Sequence, residues 1–244
     1  MLRITMIVVF VVLFLILSIP ILLVEWCIGL VNKRVKYVTS KAIIEWAFRV
    51  CLFFAGTKVT VIGRENIPKD RAVLYIGNHR SVFDILISYV NSPRPTGYIA
   101  KDELIHVPLL NLWMRNINCL FLDRKDVKKG LKTILTSIEK LKSGVSICIF
   151  PEGTRNNTDK ALLPFHDGSF KPAIKAKCPI VPMTFNNASA IFEDQYPRIK
   201  KAHVILEFGK PFMVDDLEPE DKKHIGEYTA NIIRETYERN KSLV

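Results

Sequence analysis

Hydrophobic and polar positions divide the chain into an apolar beginning, a short amphipathic stretch and a long alternating remainder. From Ile4 to Val24 no charged residue occurs, and the run is almost wholly Ile, Val, Leu and Phe. As one helix it would extend about 31 Å, the thickness of a bilayer's hydrocarbon core. A secretory signal has a shorter apolar region, roughly 7–15 residues, and a small-residue cleavage site, whereas this run ends in bulky Leu22, Leu23 and Val24. It is therefore expected to be a retained anchor, which Pro20 could kink so that it lies in one leaflet. Ala42 to Phe54 is apolar but interrupted by Glu45 and Arg49 and carries Trp46. That pattern suits a helix at a membrane interface as well as one packed on a core.

From Thr57 onward short β-branched runs recur. Thr57 to Ile62, Ala72 to Ile76, Cys119 to Leu122, Val145 to Phe150, Ile180 to Phe185 and His203 to Phe208 read as strands. Helical periodicity lies between several of them, clearest from Asp126 to Lys142, where Val127, Leu131, Ile134, Leu135, Ile138 and Leu141 recur at helical spacing and Gly144 supplies the stop. Strands alternating with helices predict an α/β fold: a largely parallel mixed sheet flanked by helices. The expected organisation is an N-terminal membrane-anchoring helical segment over residues 1–55 and an α/β domain over residues 56–244.

Composition narrows the setting. With 244 residues, 49% of them hydrophobic, the chain is neither disordered nor a disulfide-stapled miniature. Cys27, Cys51, Cys119, Cys148 and Cys178 are scattered, with no zinc spacing, so a reducing compartment, no metal and no cofactor are expected. The 35 Lys and Arg against 24 Asp and Glu give a net charge of +11. Nucleic acid is not the expected partner, since no aromatic–basic interleaving or binding motif accompanies that charge. Lys33, Arg34, Lys36 and Lys41 follow the apolar run, while only Arg3 precedes it, and the positive-inside rule then places the domain on the cytoplasmic face. On that face the sequons at Asn156 and Asn187 stay unmodified.

Two constellations carry candidate chemistry. Gly77-Asn78-His79-Arg80-Ser81-Val82-Phe83-Asp84 leaves the strand Ala72 to Ile76, at a strand's carboxyl end, where α/β folds open a crevice. With His79 in the turn and Asp84 in the first helical turn, the two side chains can meet, and the pair would act as a general base; alternatively both only cap the helix. Ser81 beside them hints at a hydrolytic triad, but the chain has no G-x-S-x-G turn, and Ser81 reads as a helix-start residue. The second constellation, Phe150-Pro151-Glu152-Gly153-Thr154-Arg155, turns out of its strand at Pro151 and Gly153. Arg155, with Thr154 and backbone amides, could grip phosphate oxygens, and Arg124 could join it; each is equally readable as a structural ion pair. His106, His166, His203 and His224 have no partners at ligand spacing and are read as structural or surface residues.

In order and spacing, Asn78-His79-x-x-x-x-Asp84, Phe121-Leu122-Asp123-Arg124, Phe150-Pro151-Glu152-Gly153-Thr154-Arg155 and Val181-Pro182 resemble the four blocks of the glycerolipid acyltransferase family, over roughly residues 55 to 215. Lys101-Asp102-Glu103-Leu104 with Pro108 is similar to a further stretch of that family, while Asn111 and His166-Asp167 depart from its usual residues. The resemblance implies a membrane enzyme of phospholipid biosynthesis that moves a fatty acyl group from acyl-CoA or acyl carrier protein to the 2-hydroxyl of lysophosphatidate. In that scheme His79 and Asp84 are catalytic, and Arg124, Glu152, Gly153, Thr154 and Arg155 bind substrate. Other lysophospholipids or glycerol 3-phosphate are alternative acceptors, and a membrane esterase using Ser81 or a lipid-binding protein without catalysis are the remaining alternatives.

Overall fold

The computed structural model describes all residues, Met1–Val244. Three helices lead the chain: α1 (Leu2–Leu17), α2 (Ile19–Val31) and α3 (Lys33–Ala55). The α/β region follows as β1 (Lys58–Ile62), β2 (Leu74–Gly77), α4 (Phe83–Asn91), β3 (Thr96–Lys101), α5 (Leu110–Asn116), β4 (Leu120–Leu122), α6 (Val127–Lys142), β5 (Ser146–Ile149), α7 (Lys171–Ala176), β6 (Ile180–Asn186), β7 (His203–Phe208), α8 (Pro219–Lys223) and α9 (Ile225–Asn240).

The apolar N-terminal run is not one straight helix. It breaks at Ser18, and α1 and α2 meet at a 52° bend. Pro20 explains the break: its ring carries no amide N–H and crowds the carbonyl four residues earlier, so the helix restarts with proline in its first turn. The bend is fastened to the domain, because Ser18 Oγ accepts from the indole N–H of Trp113 (2.9 Å) in α5. No single helix is long and apolar enough to cross a membrane. Between α2 and α3 the side chain of Asn32 accepts from the amides of Arg34 and Val35 and starts α3. Glu25, buried in the otherwise apolar α2, accepts from Ser40 Oγ (2.8 Å) and Thr39 Oγ1 (3.1 Å) of α3. One flank of α3, including Ile44, Ala47, Cys51 and Leu52, is buried against the domain, while Trp46 and Phe53 face outward. The Ala42 to Phe54 stretch thus packs a core on one side and exposes aromatic rings on the other.

Seven strands form one sheet in the order β1-β7-β6-β2-β5-β3-β4, parallel throughout except for the β6–β7 pair. This is the largely parallel mixed sheet expected, with one strand added. β3 escaped notice because Gly97 interrupts its β-forming residues and Pro93 and Pro95 crowd its start. Alternation along the strands separates two cores. Val73, just before β2, and Tyr75 within it face a layer made by α3, α4 and α5, onto which α1 and α2 add Ile7, Phe14 and Leu22. Leu74 and Ile76 face the opposite layer, where Leu141 of α6, Ala173 of α7 and Ile225 and Ile233 of α9 complete the packing. In α6 the Asp126 side chain accepts from the amides of Lys128 and Lys129, and Gly144, at φ +89, ends the turn that follows.

Candidate active site

Parallel register places the two constellations side by side. Ile76 of β2 pairs with Ile149 of β5, so Gly77-Asn78-His79 and Phe150-Pro151-Glu152 leave adjacent strands at the same sheet edge. Asn78 ties the first turn to β6: its amide donates to Phe185 O (3.0 Å) while its carbonyl accepts from Phe185 N (2.8 Å).

His79 and Asp84 meet as the turn allows. His79 Nδ1 lies 3.0 Å from Asp84 Oδ2, and the same oxygen accepts from the amides of Arg80 and Ser81, both at 2.8 Å. Asp84 is fully buried in the first turn of α4, where the helix N-terminus favours a negative charge. A carboxylate can only accept, so Nδ1 carries the proton in this pair and Nε2 keeps its lone pair. The His79 side chain is 14% exposed, and one ring face lies on Phe150, 4.2 Å between centroids and 15° from parallel. Asp84 Oδ1 is buried without a partner. Ser81 is fully buried and its Oγ accepts from the Phe83 amide. That is helix-start bonding, and it leaves the hydroxyl without the exposure a nucleophile needs.

Glu152 is positioned differently from a ligand for phosphate. Its Oε1 accepts from the His79 amide (2.7 Å), its Oε2 accepts from the Leu163 amide (2.9 Å), and the residue is buried. Burial pushes its carboxyl above the usual carboxylate range, while the two amides act in the opposite direction. From the same loop the Asn156 amide donates to His79 O (2.7 Å). The Asn156 side chain is taken up by Lys160 O and by Thr158, so this sequon is folded inward. Asn187 likewise donates to His203 O.

The remaining candidates face solvent. Arg124, Thr154 and Arg155 are exposed. Arg155 Nη1 lies 2.9 Å from Glu193 Oε1, which also accepts from the Val82 amide, and its side chain remains 47% exposed. Gly153 has φ +73, and a methyl placed there would meet His166 Cδ2 at 3.4 Å, His166 Nε2 at 3.5 Å and Arg124 Nη1 at 3.6 Å. The structure thus gathers Arg124, Gly153 and His166 at one point of the rim. His166 reads from sequence as structural or surface; only its standing, with Asp167, where the resembled family has other residues sets it apart. Asn156, legible only as a sequon, and Phe150, legible only as part of its motif, take roles that depend on contacts with His79 across strands. His203 bonds to Thr60 and His224 to Glu220, away from the site.

Comparison with known proteins accords with this arrangement. Residues 58–186 match the family described as Acyltransferase. A 1-acyl-sn-glycerol-3-phosphate acyltransferase of Borreliella burgdorferi is 33% identical over 65% of this chain and 62% of its own length. One from Haemophilus influenzae is 30% identical over 78% of each chain. The chain spans about three fifths of the Borreliella burgdorferi and Saccharomyces cerevisiae relatives, 62% and 60%. The crystal structure of the 1-acyl-sn-glycerophosphate (LPA) acyltransferase PlsC from Thermotoga maritima superposes with a TM-score of 0.72 at 25% identity, over 93% of this chain and 97% of that one. The sheet, the histidine–aspartate turn and these matches together show that the chain belongs to the acyltransferase family.

Proposed function

We propose that the chain is a 1-acyl-sn-glycerol-3-phosphate acyltransferase, transferring a fatty acyl group from an acyl thioester to the 2-hydroxyl of lysophosphatidate to give phosphatidate. The observation that carries the reading is His79, held through Nδ1 by Asp84 with Nε2 unpaired at the open end of the sheet. In this scheme Nε2 takes the proton of the 2-hydroxyl as that oxygen attacks the thioester carbonyl. The tetrahedral intermediate collapses by breaking the C–S bond, and the imidazolium returns its proton to the departing thiolate. The acyl group arrives already activated, so the protein's task is orientation and proton transfer, and no covalent acyl-enzyme is required.

Arg124 and His166, both beside Gly153, and Arg155 with Thr154 supply the hydrogen-bond donors for the acceptor's phosphate, the two arginines carrying the positive charge. Gly153 serves because a side chain there would narrow the gap between Arg124 and His166. Glu152 acts on His79 as a brace and leaves phosphate contact to these neighbours.

A membrane seat suits the lipid substrates, whose withdrawal into water costs about 0.8 kcal/mol per CH₂. Exposed Val9, Val12, Leu13, Ile16, Leu23 and Trp26 give α1 and α2 an apolar outer surface. An apolar groove of about 640 Å³ also runs between α1 and α3, lined by Phe10, Phe14, Leu17, Ile43 and Trp46. In this reading the bent pair lies within one leaflet, with Lys33, Arg34 and Lys36 at anionic headgroups on the cytoplasmic side.

The test is phosphatidate formation from lysophosphatidate with palmitoyl-CoA and with palmitoylated acyl carrier protein, on vesicles carrying the intact chain or equal amounts of folded His79→Ala. Product that vanishes with His79 supports the reading. Absence of product from the folded intact chain with both donors overturns it, as does equal turnover by the variant. Parallel assays with glycerol 3-phosphate and other lysophospholipids define the acceptor.

A further inference from the structure

α6 packs on the sheet through Ser137, Leu141 and their neighbours, yet it also turns apolar residues to solvent. Val127, Leu131 and Leu135, spaced four apart along one stripe, are 84%, 58% and 52% exposed. More than half of each of these side chains is thus left without a partner in the chain. Lys128 and Lys132 stand beside it on the outward surface, and neither has a carboxylate within ion-pair distance. A solvated helix face has no need of such a stripe, whereas apolar anchors rimmed by unpaired cations form the complement of an acidic, amphipathic protein surface.

Position determines which partner has access. The helix begins three residues after Arg124, whose guanidinium reaches the rim at Gly153. α6 lies on the sheet face opposite that covered by α1, α2 and α3. A bilayer seated on α1 and α2 therefore leaves the stripe pointing toward water, and a second copy of this chain would bring like charges together. We infer that this face of α6 docks a small acidic carrier protein bearing the acyl thioester, delivering its tethered acyl group to His79. The inference rests on the thioester-transfer reading above and specifies how the donor is held.

The test compares the intact chain with Lys128→Glu/Lys132→Glu on phosphatidylcholine vesicles, using palmitoylated holo acyl carrier protein and palmitoyl-CoA as donors. The expected result is a rise of roughly tenfold in KM for the carrier-bound donor, with kcat/KM for palmitoyl-CoA within about twofold of the intact chain. Leu131→Ser/Leu135→Ser, a change confined to exposed side chains, should act in the same direction and guards against misfolding of the charge-reversed protein. Equal losses with both donors, no change with the carrier, or loss of vesicle flotation by the variants would overturn the docking surface. If the intact chain uses palmitoyl-CoA alone, docking falls while thioester transfer stands. If it uses neither donor, the functional reading itself fails.

Discussion

Replacing Asp84 by Asn isolates charge from geometry at the candidate base. Asp84 Oδ2 accepts from His79 Nδ1, Arg80 N and Ser81 N, while Oδ1 has no partner. An asparagine carbonyl can occupy the Oδ2 position and keep all three donors satisfied, with its amide in the place of Oδ1. The new NH₂ takes the buried place where Oδ1 has no partner, so the fold should lose about 1–3 kcal/mol. What disappears is the negative charge 3.0 Å from the imidazole, which opposes the positive charge His79 acquires on taking a proton. At an effective dielectric near 20, unit charges at that separation interact by about 5 kcal/mol. A loss of about 3–5 kcal/mol in the transition state corresponds to a fall of about 10²–10⁴ in kcat, with KM for lysophosphatidate little altered. Phosphatidate formation at saturating lysophosphatidate, with a thermal melt on the same preparation, measures both quantities. A folded Asp84→Asn protein retaining more than a tenth of the intact kcat would refute the assignment of Asp84 as the charge that supports the base.

Further outcomes follow from other contacts. Arg124→Ala should raise KM for lysophosphatidate by about 10–100-fold, the loss of one charge-assisted contact to phosphate, with a smaller effect on kcat; an unchanged KM removes Arg124 from the acceptor site. Glu25→Ala leaves the buried Ser40 hydroxyl without its carboxylate acceptor and should cost about 1–3 kcal/mol in the first unfolding transition, read by chemical denaturation. Burial raises the Glu152 carboxyl above its ordinary value of 4.5, so its contribution to stability is complete below that value and is lost as pH rises through the folded one. Relative to Glu152→Gln, the intact chain should therefore gain stability on acidification from neutral pH; denaturation midpoints for both proteins along a pH series check the sign, and a gain on raising pH contradicts it.

The sheet and the pairing of His79 with Asp84 were legible because both are local: β-branched runs mark the strands, and five positions across a turn suffice to join the two side chains. The bend at Ser18 was harder to read. Pro20 announced a kink, but the indole of Trp113 that fixes Ser18 comes from a helix distant in sequence. Glu152 illustrates the same limit: its residue type suits a polar site, whereas its direction is set by amides of His79 and Leu163 on separate segments. His166 reaches Gly153 because its amide donates to Pro151 O and folds the intervening loop back, a closure no periodicity encodes. β3 was hidden by Gly97, whose missing side chain allows the Asn118 carbonyl to approach.

The backbone of His79 is held on both sides of its Cα by one loop, with Glu152 taking its N–H and the Asn156 N–H donating to its C=O. Their separation is thus a ruler for the base: removing or inserting one residue between Glu152 and Asn156 would leave the His79 N–H or its C=O unheld. Beyond Asn156 the loop is held again at Thr158 and Lys160, whose carbonyls accept from the Arg80 guanidinium, and at Leu163, whose amide Glu152 takes. A change of length anywhere from Glu152 to Leu163 should accordingly disturb the seat of His79, so that the whole loop, and not its two ends alone, sets the aim of the base.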